Sequence, residues 1–232
     1  MNRFKRFLAV TGLTGMLAIG LSGTAVAGGG GGGCAGGSSA TSSGSTQVFA
    51  IQDSGLFANA GFRSVSGTTE TDIFIFADKQ SFVQSGSGST SISEAFVAIS
   101  VFDTVTGVPS VEAFGSTPSS NFQIDQALTS ATLSSTSITV CDLVTNTSST
   151  ATAAANWTGV GSKTPVVGTD LFRSGKFTTV NHFVVFDRSA QAIGSASDTA
   201  LNVSFSGSAV FAGLSSQTSG FITVCVGGCP GK

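Results

Sequence analysis

Few residues in this chain have types and spacing that could do chemistry. The single histidine, His182, lies in Thr179-Val180-Asn181-His182-Phe183-Val184, so any Ser–His–Asp nucleophile system would have to use it. No Gly-x-Ser-x-Gly elbow accompanies it. A lone histidine among strand-forming residues reads as packed or solvated rather than catalytic. Glu70 and Asp72 are two apart and share one face of an extended segment. The two carboxyls of a glycosidase need not be neighbours in sequence, so that spacing alone does not mark one. The chain has no Tyr and a single Trp, so it lacks the aromatic platforms of a sugar cleft. The expectation is a non-enzymatic protein, with an extracellular hydrolase as the minor alternative.

Three acids recur in one context. Val101-Phe102-Asp103, Val140-Cys141-Asp142 and Val185-Phe186-Asp187 each end an apolar run with Asp. Asp103 and Asp142 continue into Thr-Val-Thr-Gly107 and Leu-Val-Thr-Asn146. Aspartate bonds the backbone two residues on, and Gly or Asn tolerates positive φ, so these read as turns. The rival is a calcium site, or another ligand site, built from Asp103, Asp142 and Asp187 at one end of the fold. Calcium favours dense Asp/Asn loops, which are not seen, so no metal and no cofactor is expected. Trp157, ahead of Thr158-Gly159-Val160-Gly161, reads as the plug of a core end. A surface binding role for Trp157 is the sharper alternative. Asn146, Asn156 and Asn202 open Asn-x-Ser/Thr triplets, weak glycosylation signals in a chain with 37 Ser and 28 Thr.

The cysteines are Cys34, Cys141, Cys225 and Cys229, an even number that reads as disulfides in an exported chain. Cys141 and Cys225 both end strand-like runs. A Cys141–Cys225 bridge is favoured, worth on the order of 4 kcal/mol by chain entropy. The alternative is a local Cys225–Cys229 loop. Cys34, in the flexible tract, is a candidate partner for Cys229 or for another molecule. Cys225-x-x-x-Cys229 alone does not make a zinc site.

The elements that must position these residues follow from the rest of the chain. Arg3, Lys5 and Arg6, the apolar run from Phe7 to Leu21 and Ala25-Val26-Ala27 predict a cleaved signal peptide over residues 1–27. The run is too short for a membrane span, so no membrane insertion is expected after cleavage. The destination is extracellular or the cell surface, or else the periplasm. Without residues 1–27, 7 basic residues face 12 acids, which disfavours nucleic acid and anionic membranes. Residues 28–46 form a Gly/Ser-rich linker, and 227–232 a short tail.

Between them, residues 47–226 alternate β-branched and aromatic runs with Ser/Thr/Gly clusters, and no helical stripe appears. This predicts an all-β, antiparallel β-sandwich of about ten strands. The expected strands are Gln47–Gln52, Leu56–Val65, Thr71–Ala77, Ile92–Phe102, Val111–Phe114, Ala131–Cys141, Ala151–Thr158, Phe177–Phe186, Ala200–Phe211 and Gly220–Val226. Phe122–Leu128 is left between strand and helix.

Charged residues are only 9% of the chain, and small hydroxyls abound. That suits dense strand pairing. The first functional expectation is therefore an exported structural or adhesive protein of the cell surface or extracellular matrix, self-associating by strand addition. In one form of it the arm carries Gln47–Gln52 onto a neighbour; the plainer form pairs that strand within its own domain. The second expectation is a monomeric secreted module binding a glycan, small ligand or calcium through Asp103, Asp142, Asp187 and Trp157.

Overall fold

The computed structural model describes residues 50–84, 88–174 and 177–225. These residues belong to one compact unit, residues 46–232. The expected signal peptide, linker and tail lie outside them, as do Cys34 and Cys229.

Eleven strands, all paired antiparallel, make up the fold: β1 Ala50–Ser66, β2 Thr69–Gln84, β3 Gly88–Asp103, β4 Pro109–Pro118, β5 Phe122–Ile124, β6 Ser130–Asp142, β7 Thr147–Gly159, β8 Thr164–Ser174, β9 Phe177–Asp198, β10 Val203–Ser208 and β11 Phe211–Cys225. The all-β antiparallel expectation holds. All eleven strands belong to one hydrogen-bonded sheet. The pairing does not separate two sheets, so the sandwich expectation reduces to its coarser part.

Several expected boundaries change. Gln47–Gln52 and Leu56–Val65 belong to one strand as far as they are described, because Gly55 interrupts the apolar pattern without interrupting the ladder. β8 was not expected, since Pro165 and Gly168 break its pattern. An edge strand tolerates a proline that a central one does not. Ala200 to Asn202 form a turn rather than the start of a strand. Phe122–Ile124 is a short strand, after which Leu128 turns at φ 57°.

The 22-residue β9 is the spine. Its first half pairs β8 on one edge and β11 on the other, and its second half pairs β7 and β10. Hydrogen bonding then runs β9–β11–β1–β2–β3–β4–β6–β7 and back to β9, a closed circuit. Its narrowest join is β4 to β6, with two residue pairs, Ala113↔Asp142 and Phe114↔Cys141. Gly115 permits that join, because a Cβ there would drive into the Thr139 carbonyl.

The core fills the closed part. β1 contributes Ala58, Ala60 and Phe62, β2 Ile73, Ile75 and Ala77, β3 Ala95, Val97 and Ile99. β7 faces them with Ala151, Ala153, Ala155 and Trp157. These sets alternate with outward residues at the strand period of two. The loop from Ser119 to Ser130 closes one mouth with Phe122 and Leu128, both buried. Beyond that mouth six strands continue in the order β8–β9–β11–β1–β2–β3. β4 starts pairing with β3 at Glu94↔Pro118, and the Ser119 amide donates to the Ser93 carbonyl at 2.9 Å, so among the described residues 88–92 pair on the β2 side alone. β8 likewise pairs only β9.

Candidate functional site

The turns β1–β2, β3–β4, β6–β7 and β9–β10 collect at one end of the sheet, and three of them are built by aspartate. Asp103 Oδ1 accepts from the amides of Val105 and Thr106 at 3.0 and 2.7 Å. Asp142 accepts from the amides of Val144, Thr145 and Glu112 and from Thr145 Oγ1. Asp198 accepts from the amides of Ala200 and Leu201 and from Ser149 Oγ. Each is followed four residues on by a left-handed residue: Gly107 at φ 68°, Asn146 at 56° and Asn202 at 52°. The turn reading of Asp103 and Asp142 therefore holds, and Asp198 is its third member. The signal was legible: Asp198…Asn202 repeats the spacing of Asp142…Asn146, which Asp187 lacks.

Hydrogen bonds from the amide of Thr106, with help from Thr68, lower the Asp103 carboxyl. Burial raises the Asp142 carboxyl, but the bonds from Thr145, Glu112 and Val144 outweigh it and leave it lowered. Asp125 in the mouth-closing loop is held well below the usual range in the same way, its burial outweighed by Thr129 and Ser130.

Asp187 does not join that end. It stands eleven residues before Asp198 along β9, exposed on the outward face, where partial burial raises its carboxyl. Trp157 is buried inside the core. Its Nε1 donates to the Asn59 carbonyl at 2.8 Å and its ring meets Phe122 edge-on. This is the plug position, and the ring presents no face to solvent. Among the described residues no group of three or more His, Cys, Asp or Glu is placed to hold a metal ion.

The Glu70/Asp72 pair is held by Arg63, whose Nε lies 2.8 Å from Glu70 Oε1 and 2.9 Å from Asp72 Oδ1. His182 Nδ1 meets Thr169 Oγ1 at 2.9 Å, a hydroxyl where a triad needs a carboxylate. The carboxylate pair that sequence spacing did not reveal is Asp78 and Glu94, opposite each other on β2 and β3. Burial pushes the Asp78 carboxyl up to about 6, opposed by the Gln80 amide and reinforced by Glu94. Only strand register brings these two together, which is why spacing of 16 residues gave no signal.

Register also overturns the favoured Cys141–Cys225 bridge. Cys141 is level with Phe114, Ala98, Phe74, Gly61 and then Phe211 through successive ladders. Cys225 lies fourteen residues farther along β11. At about 3.3 Å per residue that is roughly 40 Å or more, against the ~6 Å that a disulfide spans.

The strongest surface feature is the open half of the sheet. β8 is an eleven-residue strand paired along its whole length to β9 and, among the described residues, unpaired along its other edge. It exposes Val166, Val167 and Leu171, at 50%, 73% and 55% of their full accessible areas. Comparison with known proteins finds no matching family, no matching curated protein and no matching solved structure.

Proposed function

We propose that the chain is an exported, non-enzymatic structural or adhesive protein of the cell surface or extracellular matrix that joins copies of itself through strand β8. The observation that carries this reading is the long edge of β8, which exposes Val166, Val167 and Leu171. A strand edge is a row of unpaired N–H and C=O groups, and natural edges are usually blunted by charge, bulges or a covering element. Here Val166, Val167 and Leu171 are exposed on that edge, with Pro165, Asp170 and Arg173 between and beside them. Residues 88–92 offer a second edge on the other side of the open half. Two different edges per subunit suit a head-to-tail contact, which extends into open-ended assemblies when the rotation does not close.

The arm-donation form of this reading gains no support from Ile51 and Gln52, which pair with both β11 and β2 of their own chain. Assembly therefore runs through β8. Within this proposal the closed part serves as a sandwich-like body, supported by one core cluster drawn from β1–β3 on one wall and β6–β7 on the other.

The test is Val167→Lys, which places a charge on the exposed edge and touches none of the core. Purified protein should form large species by light scattering and negative-stain microscopy, and the variant should remain monomeric with an unchanged melting temperature. A wild-type protein that stays monomeric as its concentration rises would sink the proposal.

A further inference from the structure

The mouth of the closed part brings two cations together. Lys163 stands one residue before β8, and the β8–β9 register sets it level with Arg188. Its Nζ lies 5.4 Å from the centre of the Phe186 ring, and Phe186 shares the face of Arg188 on β9. Arg188 is level with the core residue Leu214, so both cations are on the inward side of the sheet. There they meet the mouth-closing loop. Lys163 Nζ donates to the Gln126 carbonyl at 2.6 Å, and Arg188 Nη1 donates to the Ala127 carbonyl at 3.4 Å. Acceptors on adjacent residues hold the two charged heads side by side.

Neither charge is offset by an acid. Among the described residues the ion pairs are those of Arg63 with Glu70 and Asp72. The Asp125 carboxyl, on the same loop, is taken up by Thr129 and Ser130. Asp187 precedes Arg188 and therefore points to the other face of β9. Two like charges side by side repel, and neutral carbonyls leave both charges in place. Donor capacity is also left over. An ammonium has three N–H groups and a guanidinium five, and each cation gives one to the loop. Arg188 Nε is shielded from water and has no acceptor. It packs over Gly159, where an added Cβ would come within 3.0 Å of it.

We infer that Lys163 and Arg188 form a binding site for a dianionic oxyanion, a sulfate or phosphate group. The group accepts from Lys163 Nζ and from the guanidinium of Arg188 at once, so charge-assisted hydrogen bonds take the place of the repulsion. A tetrahedral oxyanion has several oxygens with which to bridge two donors, and chloride has a single centre. Since the same cations hold Gln126 and Ala127, the bound group ties the start of β8 and the middle of β9 to the mouth-closing loop. The site is separate from the β8 edge and does not depend on assembly there.

The test is thermal unfolding of the full chain in sodium sulfate, against sodium chloride of equal ionic strength. Sulfate at about ten times its dissociation constant should raise the melting temperature by about 3 °C over chloride. It should also slow hydrogen exchange at residues 126–130. Lys163→Gln, at the half-buried end of the pair, should cut the rise at least threefold, and Arg188→Gln should do the same. Lys163→Gln alone decides the matter if Arg188→Gln does not fold. Dextran sulfate, run beside the inorganic ion, identifies the source. Stabilisation by both, lost in Lys163→Gln, assigns the site to an ester group on a polymer, and stabilisation by the inorganic ion alone assigns it to the free anion. A rise equal in wild type and Lys163→Gln is the general salting effect of sulfate and would overturn the inference. So would no rise beyond chloride, or unchanged exchange at residues 126–130.

Discussion

Asp78 and Asp142 show how the same side chain takes opposite roles according to its neighbours. Asp142 is buried but receives four hydrogen bonds, so its ionised form is preferred in the fold. Its contribution is present above the ordinary carboxylate value near 4 and is lost as pH falls through the lower folded value. Asp142→Ala should cost about 2 kcal/mol at pH 7 in urea unfolding, because it leaves the part-buried amides of Glu112, Val144 and Thr145 without their acceptor. Asp78 runs the other way. Its folded carboxyl titrates at about 6, so the fold prefers it protonated. Stability should therefore fall as pH rises from about 4 to about 6, where the folded chain holds a proton that the unfolded chain has released. Asp78→Asn should be more stable than wild type at pH 7.5, by on the order of 2 kcal/mol, and no more stable at pH 4. An equal difference at both pH values would contradict this account of Asp78.

At the scale of the element, the all-β antiparallel class, the Asp103 and Asp142 turns and the burial of Trp157 were legible because they rest on local chemistry. Alternation gives strands, Asp with a following Gly or Asn gives a turn, and a large ring before a Gly-rich stretch gives a core plug. β8 was not legible, because Pro165 and Gly168 break the alternation and only an edge position makes them acceptable. The Asp78/Glu94 pair and the separation of Cys141 from Cys225 were not legible either, since both depend on register across several strands. Gly115 is the element-level test of the closed circuit. Gly115→Ala puts a methyl against the Thr139 carbonyl at the two-pair join of β4 and β6. It should cost about 2 kcal/mol or more. It should also speed hydrogen exchange in β4 and β6 ahead of β1 and β2. Unchanged stability would mean that β4 and β6 do not meet in this register.

For the whole molecule, the sheet divides into a closed part that holds the core and an open part that holds the exposed edges. The closed part explains stability: buried alanines let facing strands approach, and Trp157, Phe62 and Phe122 fill the remaining space. The open part explains the proposed function, because β8 continues beyond the point where β4 and β6 could cover it. The most direct measurement is hydrogen–deuterium exchange of residues 164–174 in dilute and in concentrated protein. Strand addition predicts that protection of β8 rises with concentration while β1 and β2 stay the same. β8 exchange that is independent of concentration, in a protein that remains folded, would contradict it.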